Sequence, residues 1–364
     1  MAFAAGLRLP LHVARHAAFQ AASRLGIDVP RPIPFFVLKV TDVCNARCET
    51  CNLGIPAGYR SSAALPFSVA TSIVQEMARR KTLFAGIVGG EPLLYKHLFE
   101  LLEMCNRLGV RTNLNTHGGF LSRDTARRLG AAGLSYISIS LDYPDAARNE
   151  AVRKGVKYDA VLAGIRAMRS ECPATAISIG MTVTRHNIGE IRAMCQLAAR
   201  ESVQYLKIQP FHSHLDQIIT NTPDLRQDMA LSSNDLARLS DELLGLQEDA
   251  SALGVLTNAR MLLQELPSTL AGRRTLACVA GDAILFVEPS GRVGGCPEKR
   301  SRGSLQDMDL DSLMAAEPEI FQFAKHCPML PSCFDTTYGE LSHILGRNDL
   351  RRTLDVIDRV LFYR

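Results

Sequence analysis

The stretch Phe35-Phe-Val-Leu-Lys-Val-Thr-Asp-Val-Cys44-Asn-Ala-Arg-Cys48-Glu-Thr-Cys51 joins an apolar run to a loop with three cysteines. The run Pro34–Val40 predicts a buried strand because it is short and apolar. The three thiols follow at once, separated by three and then two residues. This spacing fits one loop wrapped around a single metal centre.

The number of ligands bears on which metal the loop could hold. Structural zinc takes four protein ligands, but the next Cys or His after Cys51 is His97. A [4Fe–4S] cubane on three cysteines keeps one iron open, and an open iron can bind a substrate. The sequence favours a cluster on Cys44, Cys48 and Cys51, and a zinc loop that borrows a remote ligand is the alternative.

Short apolar strands alternate with amphipathic helices from residue 35 to residue 209. This alternation predicts a parallel sheet with crossover helices. Six such units fall short of a closed TIM barrel, so the predicted fold class is α/β with a partial (β/α)6 TIM-like barrel. The predicted strands are Pro34–Val40, Leu83–Val88, Val110–Asn115, Tyr136–Leu141, Ala176–Val183 and Val203–Gln209, and the predicted helices are Val69–Arg79, His97–Leu108, Ser122–Leu129, Tyr158–Ser170 and Ile188–Arg200.

A glycine pair closes the second predicted strand, in the sequence Ile87-Val-Gly89-Gly90-Glu91-Pro92. Paired glycines let the backbone approach a ligand closely and leave its N–H and C=O groups free to bind it. Functional groups of such barrels gather at the carboxyl ends of the strands, which is where both this motif and the cysteine loop lie. With these two motifs the chain resembles the radical SAM superfamily, over residues 35–210.

The resemblance implies a particular set of cofactor contacts. The open iron would chelate the amino and carboxylate groups of S-adenosyl-L-methionine (SAM). The segment Gly89, Gly90, Glu91 and Pro92 would receive the SAM amino group. At the end of the fourth strand, Ser140 is expected to contact the ribose, and Asp142 is expected to be a further cofactor-binding residue.

Three positions stand out against the family pattern. Thr50 occupies a place before the third cysteine where many members carry an aromatic residue. His117 replaces the usual Asn in a Thr-Asn-Gly sequence after the third strand. Arg153 lies where related sequences often carry an arginine. None of these departures removes a cluster ligand.

A second group of cysteines lies near the carboxyl terminus. Cys278 and Cys296 are followed by Cys327 and Cys333, and a Gly-x4-Cys turn starts at Gly291. Four thiolates could enclose zinc or an iron–sulfur cluster, and the spacing alone does not separate these two. The three remaining cysteines are predicted to be small buried hydrophobic residues; they are Cys105, Cys172 and Cys195.

The second group is similar to the SPASM/Twitch extensions of radical SAM enzymes, which bind auxiliary [4Fe–4S] clusters. The full SPASM pattern has two further cysteines, at positions that hold Ala324 and Thr337 in this chain. The resemblance therefore implies one auxiliary cluster, with all four of these cysteines as ligands. Such a closed cluster would pass electrons or shape the site.

The function implied is reductive cleavage of SAM to a 5′-deoxyadenosyl radical, which abstracts hydrogen from a substrate carbon. An oxidation or maturation reaction is favoured, with an electron donor of the flavodoxin or ferredoxin type. A base is expected if a proton must leave, but the sequence singles out no catalytic residue. The candidates for the base are Asp142, Tyr143, His117, His212 and His214.

Three other functions compete with this one. A peptide-modifying maturase is the first, but only about 34 residues precede the first strand, too few for a separate peptide-binding domain of usual size. This favours a small-molecule substrate or one delivered by another protein. The second is a radical SAM transferase acting on a lipid or a sugar. The third is a non-catalytic zinc or iron–sulfur protein.

Composition excludes several further classes. The net charge of +4 comes without any block of lysines and arginines, so nucleic acid is not an expected partner. Residues 1–27 carry Arg8, Arg15 and Arg24 but no acid. This pattern is typical of an amphipathic helix docked on the protein body, and peripheral membrane contact through residues 1–30 or an organellar presequence are the alternatives. In the absence of a secretion signal, a cytoplasmic location is expected.

These patterns divide the chain into five parts. The barrel and the second cysteine group supply two of them, and helical patterns supply the other three. The predicted parts are an N-terminal helical extension (1–34), the radical SAM core (35–212), a helical connector (213–272), a SPASM/Twitch-like domain (273–345) and a C-terminal helix (346–364).

Overall fold

The computed structural model describes most of the chain between residues 31 and 321. It covers residues 31–51, 62–211, 228–275, 278–296 and 299–321, together with residues 18, 19, 21, 22, 25, 27 and 29 and with Cys327 and Cys333. The predicted C-terminal helix, most of the N-terminal extension, and His212 and His214 lie outside this part.

A nine-stranded sheet, parallel except at one edge, forms the centre of the molecule. Its strand order is β11-β10-β1-β3-β4-β5-β7-β8-β9, and a separate two-stranded ribbon pairs β2 with β6. All six predicted strands are confirmed as β1, β3, β4, β5, β7 and β8. The strands are β1 (Phe35–Lys39), β2 (Arg47–Cys48), β3 (Phe84–Val88), β4 (Arg111–Thr116), β5 (Tyr136–Ser140), β6 (Arg153–Lys154), β7 (Ala176–Val183), β8 (Tyr205–Pro210), β9 (Leu256–Thr257), β10 (Ile284–Val287) and β11 (Val293–Gly294).

Helices connect consecutive parallel strands, as the alternation predicts. The five predicted barrel helices are confirmed as α1, α2, α3, α5 and α6. No helix among the described residues is both long and apolar enough to cross a membrane. The helices are α1 (Phe67–Arg79), α2 (Leu98–Arg107), α3 (Arg123–Ala131), α4 (Ala146–Val152), α5 (Tyr158–Glu171), α6 (Ile191–Arg200), α7 (Leu236–Leu253), α8 (Arg260–Leu270), α9 (Leu310–Ala316) and α10 (Pro318–Phe321).

The hydrophobic core lies between the sheet and the helices. Alternate strand residues such as Leu114, Ile139 and Ile208 are fully buried on the helix side of the sheet. The period-2 alternation of the strands and the 3.6-residue period of the helices bring these two apolar surfaces together. The predicted burial of Cys105, Cys172 and Cys195 is confirmed, since each is at most 3% exposed.

Both ends of the barrel sheet are extended by strands from later in the chain. At one end, β9 pairs in parallel with β8. At the other, β10 pairs in parallel with β1 over four residues, from Phe35–Ile284 to Leu38–Val287. The strand at Ile284 is predicted from the sequence, but its place beside β1 is not. Because β1 would otherwise leave an unpaired sheet edge, this pairing protects it.

Ion pairs also join the carboxyl-terminal part to the barrel. Arg80, at the end of α1, has a fully buried side chain that contacts Glu76 and Asp311 and donates to the carbonyl oxygen of Arg31 at 2.7 Å. Its neighbour Arg79 contacts the same two carboxylates but is 41% exposed. The two arginines therefore share partners and differ in burial.

Replacement of Arg80 by alanine should destabilise the protein by about 3 kcal/mol, because it leaves its partners without the buried cation. The matched Arg79→Ala variant should cost less than about 1 kcal/mol, since an exposed ion pair contributes little. Urea unfolding followed by circular dichroism measures both. Equal losses for the two variants would contradict the importance of burial at this contact.

Candidate cluster and cofactor site

The cysteine loop begins directly after β1 and is held on both sides. Its last part, Arg47–Cys48, pairs antiparallel with Arg153–Lys154, so that Cys48 is opposite Arg153. All three thiols are half-buried and close enough to interact electrostatically. Burial raises the pKa of Cys44 to about 11, and Cys48 and Cys51 add smaller contributions. A cationic centre would offset this cost of forming thiolates.

The glycine pair packs against the cysteine loop. The N–H of Gly90 donates to Thr41 O at 2.7 Å, and the N–H of Glu91 donates to Val43 O at 2.8 Å. A Cβ atom added to Gly90 would lie only 2.3 Å from Val43 O, and one added to Gly89 would lie 2.7 Å from Thr41 O. The glycines therefore permit contact between two backbone segments. The sequence-based reason, N–H groups left free for a ligand, does not hold for Gly90 and Glu91.

Glu91 is a fully buried carboxylate that receives several hydrogen bonds. Thr116 Oγ1 donates to Oε1 at 2.8 Å, and the backbone N–H of His117 donates to Oε2 at 2.9 Å. Oε1 also accepts from the N–H of Leu93 at 3.0 Å, within the turn that Pro92 begins. These donors compensate the cost of burying the charge. Glu91 thus ties the end of β3 to the end of β4.

His117 extends this network back to the cysteine loop. Its Nδ1 accepts the Gly119 N–H at 3.0 Å, so its proton lies on Nε2, which is 2.8 Å from Asn45 Oδ1 and 3.2 Å from Glu91 Oε2. Burial lowers the pKa of His117, although Glu91 partly opposes this, so the ring is neutral. The histidine found in place of the family's usual asparagine thereby links Glu91 to Asn45, which lies between two cysteines of the loop.

Asp142 forms a buried ion pair with Arg153. Arg153 Nη2 donates to Oδ1 at 2.9 Å, and Nε lies 2.8 Å from Oδ2. Oδ1 also accepts the N–H of Thr182 at 2.8 Å. Arg153 interacts electrostatically with Cys48 and partly offsets the rise in its pKa that burial causes. The carboxylate of Asp142 therefore serves Arg153, and its role as a cofactor-binding residue stays a prediction.

The inner face of the barrel is polar. Register places the side chain of Ser140 on this face, at the carboxyl end of β5 and opposite Gly180 of β7. The alternate residues of the same strands are apolar and packed under the helices. Sequence analysis missed this inner layer, although the period-2 alternation could have revealed it. Besides Ser140, the inner layer includes Asn113, Asn115, Ser138, Ser178, Lys207 and Gln209.

The base candidates within the described residues are all engaged by other groups. Asp142 is paired with Arg153, and both ring nitrogens of His117 have partners. Tyr143 is 7% exposed and lies under the guanidinium of Arg148, 5.2 Å from its ring centroid. Burial raises the pKa of Tyr143, which disfavours the phenolate. No catalytic base is assigned.

Two of the carboxyl-terminal cysteines lie on adjoining loops. A Cβ atom on Gly295 would lie 2.5 Å from Gly281 N, so the loops that carry Cys278 and Cys296 are in backbone contact. The N–H of Ala280 points to Cys278 Sγ at 3.4 Å. Arg274 donates to the carbonyl oxygen of Cys333. For Cys327 the structure gives half-burial and no contact that bears on ligation.

The donor chemistry at the first site fits a cluster. Within the described ranges, no three His, Cys, Asp or Glu side chains gather tightly enough to hold a single metal ion. In a cubane, each thiolate binds its own iron, so the ligands of a cluster stand farther apart than those of one zinc ion. Three half-buried thiols with Arg153 beside them suit a cofactor of this kind.

Comparison with known proteins identifies the class to which this site belongs. Residues 38–198 match the family model of the radical SAM superfamily, so the chain contains a radical SAM domain. This range spans the cysteine loop, the glycine pair, Glu91 and the Asp142–Arg153 pair. The resemblance inferred from the motifs is therefore confirmed for the barrel.

The curated relatives include maturases. Mycofactocin maturase MftC of Mycolicibacterium smegmatis is 25% identical over 279 residues, which cover 75% of this chain and 65% of the relative. The chain thus spans slightly less than two thirds of that protein. PqqA peptide cyclase of Rhizobium meliloti is 24% identical over 277 residues, covering 74% of this chain and 69% of the relative.

Solved structures share the fold at lower sequence identity. Streptococcus suis SuiB bound to S-adenosylmethionine superposes with a TM-score of 0.65 at 15% identity, covering 88% of this chain and 75% of that chain. The enzyme anSMEcpe with bound AdoMet gives a TM-score of 0.62 at 16% identity, with coverages of 90% and 96%. These similarities confirm the α/β fold with a partial TIM-like barrel.

Replacement of Gly90 by alanine should displace the cysteine loop, because the new Cβ would collide with Val43 O. The expected loss of stability is about 1–3 kcal/mol, the usual cost of overpacking, and iron loading on reconstitution should fall with it. Denaturant unfolding of the apoprotein and iron analysis measure the two effects.

Gly86 provides the matched control on the same strand, since a Cβ there would have no neighbour closer than 3.8 Å. Gly86→Ala should leave iron loading unchanged and should not reduce stability. Normal stability and iron content in Gly90→Ala would contradict the close-contact role of Gly90.

Proposed function

We propose that this protein is a radical SAM enzyme that abstracts hydrogen from a substrate carbon in an oxidation or maturation reaction, with peptide maturation favoured. The observation that carries the proposal is the joining of the glycine motif to the cysteine loop by the two hydrogen bonds from Gly90 and Glu91. This contact brings the two motifs of the superfamily together at the carboxyl edge of the sheet. A packed structural loop would not require two successive glycines there.

The residues proposed to hold the cofactors follow from this geometry. Cys44, Cys48 and Cys51 would bind a [4Fe–4S] cluster, whose chemistry when bound is reductive cleavage of SAM to methionine and a 5′-deoxyadenosyl radical. The chain's own contribution is to fix the loop through Glu91 and His117 and to exclude water. The carbonyl groups of Gly89 and Gly90 and the hydroxyl of Ser140 are the proposed SAM contacts.

The polar inner face of the barrel supports a hydrogen-bonding substrate. Closed TIM barrels fill their interior with branched apolar side chains, whereas this one presents amides, hydroxyls and a lysine. A peptide or another amide-rich substrate would match these groups. The relatives named as a maturase and a peptide cyclase, and SuiB solved with its precursor peptide SuiA, favour a peptide over the small molecule expected from the sequence.

The carboxyl-terminal cysteines are proposed to hold one auxiliary [4Fe–4S] cluster in a SPASM/Twitch-like domain. Contact between the loops of Cys278 and Cys296, and the link from Arg274 to Cys333, support a common site. The N–H directed at Cys278 Sγ would stabilise a thiolate. Pairing of β10 with β1 would hold this domain close to the barrel.

Anaerobically reconstituted protein given SAM and dithionite should form 5′-deoxyadenosine. Replacement of Cys44, Cys48 and Cys51 together by alanine should abolish the product, since no thiolate would remain on the loop. Chromatography with mass detection quantifies it, and Cys105→Ala, a buried cysteine outside both groups, is the control. If the wild-type protein were iron-loaded yet formed no product, radical SAM activity would be excluded.

The auxiliary site can be tested by counting iron. Reconstituted wild-type protein should hold about eight iron atoms, and Cys278→Ala/Cys296→Ala about four, because one of two cubane clusters would be lost. Zinc analysis of the purified protein separates the zinc alternative. A wild-type content of about four iron atoms with one zinc would contradict the auxiliary cluster.

A further inference from the structure

The outer side of the cysteine loop is covered by a small basic ribbon. This basic ribbon consists of Arg47–Cys48 and residues 153–157, and its two strands pair in register. Arg47 stands directly opposite Lys154, and both side chains are exposed. Like charges in opposite positions destabilise a strand pair. A pair of exposed cations at this point therefore needs another explanation than folding.

The basic ribbon is close to the proposed cluster ligands. Cys48 is itself one of its residues, and Arg153 opposite it interacts electrostatically with the thiol. Gly155, with a positive φ of 91°, packs its Cα within van der Waals distance of the loop, since an added Cβ would lie 3.2 Å from Asn45 O. The exposed cations are thus separated from a ligand by one layer of backbone.

The charges of the basic ribbon are only partly neutralised. Lys154 Nζ lies 2.6 Å from Glu49, and Lys157 Nζ lies 2.7 Å from Glu150, but both lysines are more than half exposed. Exposed ion pairs of this kind are weak and readily exchange partners. With Arg47 included, three cations face two carboxylates on this surface.

We propose that the basic ribbon is the docking surface for the electron donor, a small acidic flavin or iron–sulfur protein. This inference rests on the proposed function. One electron would pass from the reduced donor, which becomes oxidised by one electron, through the region of Cys48 to the cluster. The polar barrel interior stays available for SAM and substrate, because the donor approaches from the other side of the loop.

The chemistry of the surface fits a transient partner. Complementary charge raises the rate of association, and electron-transfer encounters use small contact areas. The interaction should weaken as salt increases, because exposed charges are screened within about 8 Å at physiological ionic strength. An acidic partner would also relieve the repulsion between Arg47 and Lys154.

Arg47→Glu provides a sharp test because it separates docking from folding. The variant creates a Glu–Lys pair across the strands, so thermal stability and iron content should not fall. The concentration of reduced flavodoxin that gives half-maximal 5′-deoxyadenosine formation should rise about tenfold. Binding of oxidised flavodoxin, measured from its flavin fluorescence, should weaken to a similar extent. The rate with dithionite should be unchanged.

Arg107→Glu is the matched control, since Arg107 is an exposed arginine at the carboxyl-terminal end of α2. It should leave the flavodoxin dependence unchanged. An equal effect of the two variants, or none from Arg47→Glu, would overturn the proposal. If the charge reversal lowers iron content, Arg47→Gln repeats the test with neutral charge. Absence of product with dithionite in the wild-type protein would instead mean that the proposed function has failed.

Discussion

The backbone contact between the cysteine loop and the glycine pair is the constraint on which the rest of the site depends. Two N–H groups after β3 donate to carbonyl groups after β1, and the distance leaves no room for a side chain at Gly90. Adjacent parallel strands bring these segments side by side, but only glycine allows them to touch. The conformation of the cluster loop is therefore fixed by a neighbouring strand, and the cysteines themselves need only supply sulfur.

Buried charges reinforce this contact. Glu91 is enclosed by hydrogen-bond donors from the ends of β3 and β4, and Asp142 is neutralised by Arg153. Removing one partner from either arrangement would leave an uncompensated charge, which costs more than the intact pair contributes. Since His117 reaches Asn45 and Arg153 reaches Cys48, both arrangements end on the cysteine loop. The conserved-looking polar motifs are thus primarily supports of the loop.

The sequence predicted the elements of the barrel well because each strand and helix carries its own periodicity. It also predicted the two motifs at the strand ends. It could not predict that Glu91 and Asp142 point to partners within the protein, because the choice of partner depends on side chains brought together by folding. The same limit applies to Ile284–Val287, whose apolar run predicts a strand but not the strand it pairs with. Local patterns determine elements, and tertiary contacts determine roles.

The pairing of β10 with β1 connects the two cysteine groups mechanically. The cluster loop continues from the carboxyl end of β1, and β10 follows closely after Cys278. A displacement of the carboxyl-terminal part would therefore act on the strand that leads into Cys44. Arg80 holds the same part against α1 through Asp311. Because both contacts must break together for the parts to separate, the distance between the two proposed clusters is set by the main sheet and not by a flexible linker.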